Sequence, residues 1–448
     1  MEQIKRLVSV NKEVLREARL YAYFFIMLVF IAPRGGFTDD INFWINWCRY
    51  AYEFGLSNIY QLENNNYNPL LHYFLAAYAF LAGNSDNISQ YMPFFKAFPL
   101  FFDFVGAIAA VSFVKERSQR FALSLLLLFN AGYLYNTLIW GQVDSVFTCF
   151  VMIAVAMALR KKLVLSVIFY LLALNAKVQA IIFLPPLLLL LLPALRSDKK
   201  RLAIALLAGI AFELVFLAPF IWGGEHNDLG RIIAINFNSV DFAPVVSMSA
   251  YNFWFLTLKE DWLSAMPDNL VFWGLTYKHW GLLLFCLTSF IALLPVLLLA
   301  IRSFFTGNNF NFSEYPVILL SFGLIPILFC FFNTQMHERY WHAGLLFLAA
   351  YGFLTKEYLP YLVGSVAYLL NMEAVLRFLN FKNYKILLFK PEFVAGLFGF
   401  VIVFGFFKLY RHFNLAACLQ DMKRYGNRHE EVQAGVAMAH LEKEAGVK

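Results

Sequence analysis

The stretch AIIFLPPLLLLLLPALRSDKKRLAIALLAGIAFELVFLAPFI, residues 180–221, decides the fold. Two apolar runs, about 180–195 and 202–221, flank one short basic knot of Arg196, Lys199, Lys200 and Arg201. Crossing a bilayer as a helix takes roughly 20 predominantly apolar residues. A basic knot between two such runs marks a cytosolic loop joining two spans, because loops on that side carry excess Lys and Arg. The same pattern extends outward in both directions. Further runs lie at about 19–33, 92–114, 121–139, 144–159, 163–176, 280–301, 314–332, 341–355, 358–375 and 392–410, about twelve spans in all.

Composition agrees with an all-α polytopic membrane protein. Of 448 residues, 61% are hydrophobic and only 15% charged, far from the soluble norm. Alternation at period two over about ten residues, the signature of a barrel strand, is absent. No Gly/Ser linker sets off a soluble domain, so residues 1–410 read as a single transmembrane domain and 411–448 as a cytosolic tail. The formal charge of +7 is accounted for by cytosolic loops and requires no nucleic-acid partner. Five cysteines, at 48, 149, 286, 330 and 418, show neither metal-ligand spacing nor a disulfide framework. At the start, Lys5, Arg6, Lys12, Arg16 and Arg19 precede an apolar run with no small-residue cleavage site, which reads as an uncleaved first span.

Basic clusters set the expected sidedness. Lys115, Arg117, Arg120, Arg160, Lys161, Lys162, the 196–201 knot, Arg302 and the N-terminus face the cytosol on this reading. An even number of crossings must then precede Lys115. The short apolar segment 69–82 is therefore not a span but an interfacial or re-entrant helix. Residues 34–91 become one large outer loop carrying two surface helices, and 222–279 a second. Residues 376–391, with Arg377, Lys382, Lys385 and Lys390, fall outside by this count, so either the count fails near 358–375 or the segment is an external basic patch able to meet lipid phosphates.

Four polar stretches then lie on the outer side. In the first, Thr38 stands where an N-cap belongs, with Asp39 and Asp40 in the first turn. Capping and the helix dipole explain that start by themselves. A carboxylate held at a helix start beside apolar rings also suits a general base. Asp40, Phe43, Trp44, Trp47, Ala51 and Phe54 fall on one helical face, an aromatic stripe suited to the membrane interface. The second stretch is Trp140 to Ser145, where Asp144 can cap the next helix, and Gln142 and Asp144, two apart, would point the same way in an extended chain. In the third, Lys177 either snorkels to the interface or meets an anion. In the fourth, Met336 to Tyr340, His337 and Arg339 suit a phosphate, and Glu338 can pair with Arg339 or Lys177. The bland alternative there is an interfacial salt-bridge cluster. Away from their ends the spans carry few ionisable residues, Asp103, Glu213 and Glu373, fewer than a proton- or ion-coupled transporter would place there.

Taken in order, these motifs resemble the C-type (GT-C) glycosyltransferases, multispanning enzymes that take sugar from a polyprenyl-phosphate carrier. The likeness is to bacterial mannosyl- or glucosyltransferase-like members, and more distantly to the eukaryotic dolichyl-phosphate-sugar enzymes. It rests on Asp40 to Trp47, Gly55 to Tyr60, Tyr67 to Leu70, Trp140 to Ser145, Lys177 to Ala180, Ser249 to Trp254 and Met336 to Tyr340. Asn68 stands where the family has its first proline. The resemblance implies a GT-C-like bundle in a bacterial cytoplasmic membrane with its active site facing the exterior. It implies inverting transfer of a hexose, of mannose or glucose type, from a polyprenyl-phosphate donor to a hydroxyl of a glycan, glycolipid or protein acceptor. Asp40 would be the base. Lys177, His337, Arg339, Gln179 and Tyr67 would meet the donor. Asp39, Trp140, Gln142, Asp144, Tyr251, Asn252 and Glu338 would support the site or touch substrate. Neither a divalent metal nor another cofactor is expected. A lipid-linked sugar flippase or transporter, and a glycan ligase or polymerase using a diphosphate-linked donor, are the alternatives.

Overall fold

The computed structural model describes residues 2–33, 35–63, 65–238, 243–258 and 262–424. Arg34, part of the expected outer loop, and residues 425–448 of the expected tail lie outside the described residues. The chain is helical almost throughout. Its one sheet among the described residues is the two-stranded hairpin Val271–Phe272 and Leu275–Thr276.

A helix falls on each apolar run, but the runs differ in reach. Six helical stretches are long and apolar enough to cross a membrane: Ser85–Val111, Lys199–Trp222, Tyr277–Thr306, Phe312–Phe332, Leu359–Leu376 and Pro391–Arg424. Arg117–Leu128 with Ala131–Trp140 makes a seventh only if a pair bent by 61° counts as one. Asp144–Leu159, Leu163–Ala176, Val178–Leu191 and His342–Thr355 are shorter. The expected span at 92–114 begins earlier, at Ser85, because a short helix and a 3-10 turn run on without interruption into Ala97–Val111. The segment Pro69–Ala82 is a 14-residue helix, short of a crossing.

Burial separates the helices into a centre and a rim. The apolar window of Phe312–Phe332 is 78% buried, whereas that of Lys199–Trp222 is 17% buried. The rim helix turns Leu207 and Val215 outward, which suits contact with lipid chains rather than water. Large rings hold the centre: Trp341 stacks on Phe398 at 3.6 Å, and Phe183, Phe322 and Phe347 pack together.

The bend near Asn130 has a local cause. The Asn130 side chain accepts from the Tyr133 amide at 3.0 Å and donates to Tyr361 Oη and Ser365 Oγ. The backbone of Gly132 lies so close to Ser365 that a Cβ there would sit 2.5 Å from its carbonyl oxygen. The chain then tightens into a π-helical turn, Tyr135–Trp140, and leaves it at Gly141 with φ of 89°, a conformation that favours glycine. This turn points the 136–144 segment into the bundle end where the polar stretches meet.

The two ends of the bundle carry different chemistry. At one end Lys115, Arg120 and Arg160 line a common groove with Phe312 and Tyr315. At the other end the four polar stretches converge.

Candidate active site at one end of the bundle

The site begins with the first loop being pinned. The Phe37 amide donates to the Trp140 carbonyl at 2.9 Å, and Gly36 passes too close to the same oxygen for any side chain. Lys96 completes the clamp. Its ammonium donates to the carbonyls of Pro33, Gly35 and Leu138, joining the loop to the π turn. Sequence reasoning did not single out Lys96, although a lysine inside the run Met92 to Phe102 is the kind of intramembrane charge that signals a role.

The helix Thr38–Phe54 starts from this clamp, and its geometry corrects two expectations. Thr38 is the first helical residue, and the N-cap is Phe37, whose side chain makes no cap. Asp39 is exposed in the first turn and does not cap the helix. The aromatic stripe also faces the protein over much of its length. Trp44 and Trp47 are buried, packed edge-on against each other and against Tyr67, with Trp47 also meeting His72. Only Phe43 and Phe54 of that stripe are exposed. Burial of two indoles against Pro69–Ala82 is the stronger force, since each buried aromatic removes a large apolar area from solvent.

Asp40 is held by two donors. Trp140 Nε1 donates to its Oδ2 at 3.3 Å, and Gln142 Nε2 donates to the same oxygen. Oδ1 accepts no hydrogen bond among the described residues. Trp140 is itself fixed, stacked on Phe37 at 5.3 Å.

Gln142 and Asp144 do not point the same way, as an extended chain would have had it. The turn after Gly141 sends Gln142 to Asp40 and Asp144 to Lys177. Val143, not Asp144, is the N-cap of Asp144–Leu159. The Asp144 carboxylate receives the Lys177 ammonium on Oδ1 and the Asn136 amide on Oδ2 at 3.3 Å. Lys177 does not snorkel: its side chain is 8% exposed, and it sits 5.2 Å from the Tyr340 ring. Burial lowers the Lys177 ammonium from its ordinary value, against the raising pull of Asp144.

The last stretch closes the site. Arg339 lies 3.5 Å from Glu338, and Glu338 lies 3.8 Å from His337. Burial disfavours the Arg339 charge, but Asp40, Tyr340 and Glu338 outweigh it, so the guanidinium is held firmly charged. Burial lowers His337, and Arg339 beside it lowers it further. His337 is therefore a neutral hydrogen-bonding group near pH 7 rather than a cation. Burial opposes ionisation of Glu338, yet His337 and Arg339 together hold its carboxyl below the ordinary value. Tyr67 adds a phenol within electrostatic reach of Arg339, Asp40 and Asp144. Gln179 meets the Tyr340 side chain and, with Asp144, Tyr340 and His342, lines a small cavity beneath.

The second outer loop braces this segment rather than reaching into it. Met248 and Ala250 donate to the Met336 carbonyl at 3.0 and 3.2 Å. Asn252 is buried, with its amide on the carbonyls of Cys330 and Asn333 and its oxygen on the Trp254 amide. Tyr251 packs on Phe255, and its backbone donates to Asn371. Asn371 also binds Trp341 and Ser249, tying the loop to Leu359–Leu376. Of the expected site residues, Asp40, Tyr67, Trp140, Gln142, Asp144, Lys177, Gln179, His337, Glu338 and Arg339 come together. Tyr251 lies at its edge, within electrostatic reach of Glu338, and Asp39 and Asn252 stand outside that cluster. Lys96, Asn136, Asn371 and His342, which lies 3.7 Å from Asp103, are additions that the sequence reading missed.

Among the described residues no three of His, Cys, Asp and Glu converge as metal ligands would. What the cluster can do is accept a proton at Asp40 while offering a guanidinium fork within its electrostatic reach. No family model matches the chain, and no curated protein matches it in sequence.

Proposed function

We propose that this chain is an inverting GT-C-type glycosyltransferase that moves a hexose from a polyprenyl-phosphate donor to an acceptor hydroxyl, with Asp40 as the general base. The observation that carries the reading is a partly exposed carboxylate, Asp40, held by Trp140 and Gln142, with the buried guanidinium of Arg339 within its electrostatic reach. Base and anion-binding cation share one end of the helical bundle. Inverting transfer needs them on opposite faces of the anomeric carbon, so the sugar would lie between Asp40 and Arg339.

In the proposed reaction Asp40 takes the proton from the acceptor hydroxyl. The hydroxyl oxygen attacks the anomeric carbon. The bond from that carbon to the phosphate oxygen breaks, its electron pair stays on the phosphate, and polyprenyl phosphate leaves. Trp140 and Gln142 hold the carboxylate by one oxygen and leave the other for the proton. The leaving phosphate is already stable, so it needs cationic neighbours rather than an acid. Arg339 is the better candidate for that contact. Lys177 is neutralised by Asp144 and serves to set the Asp144–Asn136 side of the site. His337 contributes a neutral hydrogen bond.

The full reading carries about twelve membrane crossings, with the shorter helices spanning as part of a packed bundle and the site on the side opposite the basic loops. The test is to incubate purified protein with a panel of polyprenyl-phosphate hexoses and acceptor extracts, and to follow lipid-linked products by mass spectrometry. Asp40→Asn is expected to lower transfer by roughly 10²- to 10⁴-fold, the usual share of a general base. Donor binding should persist. An Asp40→Asn protein that transfers sugar at the wild-type rate overturns the assignment.

A further inference from the structure

The segment Arg377 to Lys390 lies between two helices that are each long and apolar enough to span a membrane, Leu359–Leu376 and Pro391–Arg424. It reads RFLNFKNYKILLFK, with four cations and no carboxylate. Only Tyr384 and Phe389 are withdrawn from its surface. Phe378, Leu379, Phe381, Ile386, Leu387 and Leu388 are all exposed, Leu387 to 62%. Lys382, Lys385 and Lys390 are exposed between them.

The segment is a built structure. Phe381, Tyr384 and Phe389 pack into an aromatic knot with centroids 4.9 to 5.8 Å apart, and Arg377 lies over the Tyr384 ring. Glu373 accepts from the Leu379 amide, from Tyr384 and from Tyr135. Tyr135 opens the π turn that carries Asn136 and Trp140, so the segment belongs to the same end of the bundle as the candidate site. Of the two possibilities the sequence left open, the external basic patch agrees with this placement.

We propose that residues 377–390 form a strap on the membrane surface that recognises the headgroups of anionic phospholipids. Six exposed apolar side chains interleaved with lysines suit only a surface that is apolar below and negatively charged above. Basic residues on this end run against the usual bias toward the opposite end, and an anionic headgroup layer supplies their counter-charge. The exposed hairpin tip at Trp273 and Gly274, just ahead of Tyr277–Thr306, marks the same boundary. Trp273 is 85% exposed beside an apolar strand pair, as an interfacial anchor would be.

The test uses the full chain in nanodiscs of phosphatidylcholine, with and without phosphatidylglycerol. An environment-sensitive fluorophore is attached through Leu387→Cys on a Cys286→Ser background. Quenching by lipids labelled at a shallow acyl depth is expected to rise at least about twofold with phosphatidylglycerol, since each basic residue near an anionic surface strengthens association by roughly fivefold. The triple change Lys382→Gln, Lys385→Gln and Lys390→Gln should remove that increment while leaving size-exclusion behaviour unchanged. Lipid quenching that is equal in both bilayers overturns headgroup recognition. A probe that aqueous iodide reaches freely in both overturns the membrane contact itself and points to a soluble partner instead.

Discussion

The charged groups at the two ends of the bundle are arranged differently. At the basic-loop end the pairs are complete. Arg302 grips Glu314 with both terminal nitrogens, Arg117 does the same to Glu17, and Lys408 meets Glu357 at 2.7 Å. At the other end the polar atoms are crowded but incompletely matched. Gln142 Oε1, Gln179 Oε1, Asn136 Oδ1 and Arg339 Nε are buried without a hydrogen-bond partner. Buried polar groups are almost always paired, and those that are not ask for an explanation. Pairs that hold helices together saturate each other. On the proposed function, the unpaired groups at the other end are the ones available to a substrate.

The contrast is open to attack by substitution, and after Asp40→Asn the largest effect is expected at Arg339. Arg339→Met removes the guanidinium from the site and should cut kcat/KM by about 10²- to 10³-fold, the range for losing one preorganised electrostatic partner. Arg339→Lys keeps the charge without the fork and should fall between. A transfer rate within tenfold of wild type for Arg339→Met would make that residue a structural ion like Arg302.

Lys177→Met comes next and tests stability. It leaves Asp144 buried without its cation, a change that costs about 3–5 kcal/mol when one member of a buried pair is removed. The fall in melting temperature in detergent should be largely recovered by Lys177→Met combined with Asp144→Asn. No recovery would mean that the two residues do not act as a pair. At the opposite end, Glu314→Gln should cost about 1–2 kcal/mol by weakening a charge-assisted bond. Transfer per folded molecule should stay within about twofold, because those groups have no reserve to give a substrate. A larger drop in rate would erase the distinction between the ends.

The smallest effect is on pH. His337 is lowered from 6.5 and Glu338 from 4.5 in the folded protein. For both, the unfolded chain takes up its proton first as pH falls, so stability falls with it. The His337 contribution is complete above about pH 6.5 and shrinks below it, and that of Glu338 is complete above 4.5. Melting curves should decline across that window, and His337→Gln should flatten the upper part. An unchanged slope in His337→Gln would remove His337 from the account.

Much of the architecture was legible because lipid imposes a simple code. Apolar runs become helices, although 121–139 breaks into a pair bent by 61° and 180–195 starts in a 3-10 turn. Reach was less legible. Whether Asp144–Leu159 or His342–Thr355 crosses depends on what packs around it, and helix length alone leaves both short. Among the site residues, Asp40 and Arg339 declared themselves by being ionisable at run boundaries. Asn371 and Lys96 did not, because their partners lie far along the chain, and Asn136 did not, because only the turn between them brings it to Asp144.

The sequence by itself determined a helical chain with several helices able to span a membrane, because hydrophobicity over about 20 residues is a local property. It also determined which residue types are costly enough at those boundaries to require a reason. Only the tertiary structure decided how they are used. It turned Trp44 and Trp47 inward, onto Tyr67, His72 and Phe95, which lie outside their own helix. It gave Gln142 to Asp40 and Asp144 to Lys177, because the turn after Gly141 aims neighbouring side chains at different partners. Hydropathy is read from the chain one window at a time, whereas the pairing of charges depends on directions in space that no window contains.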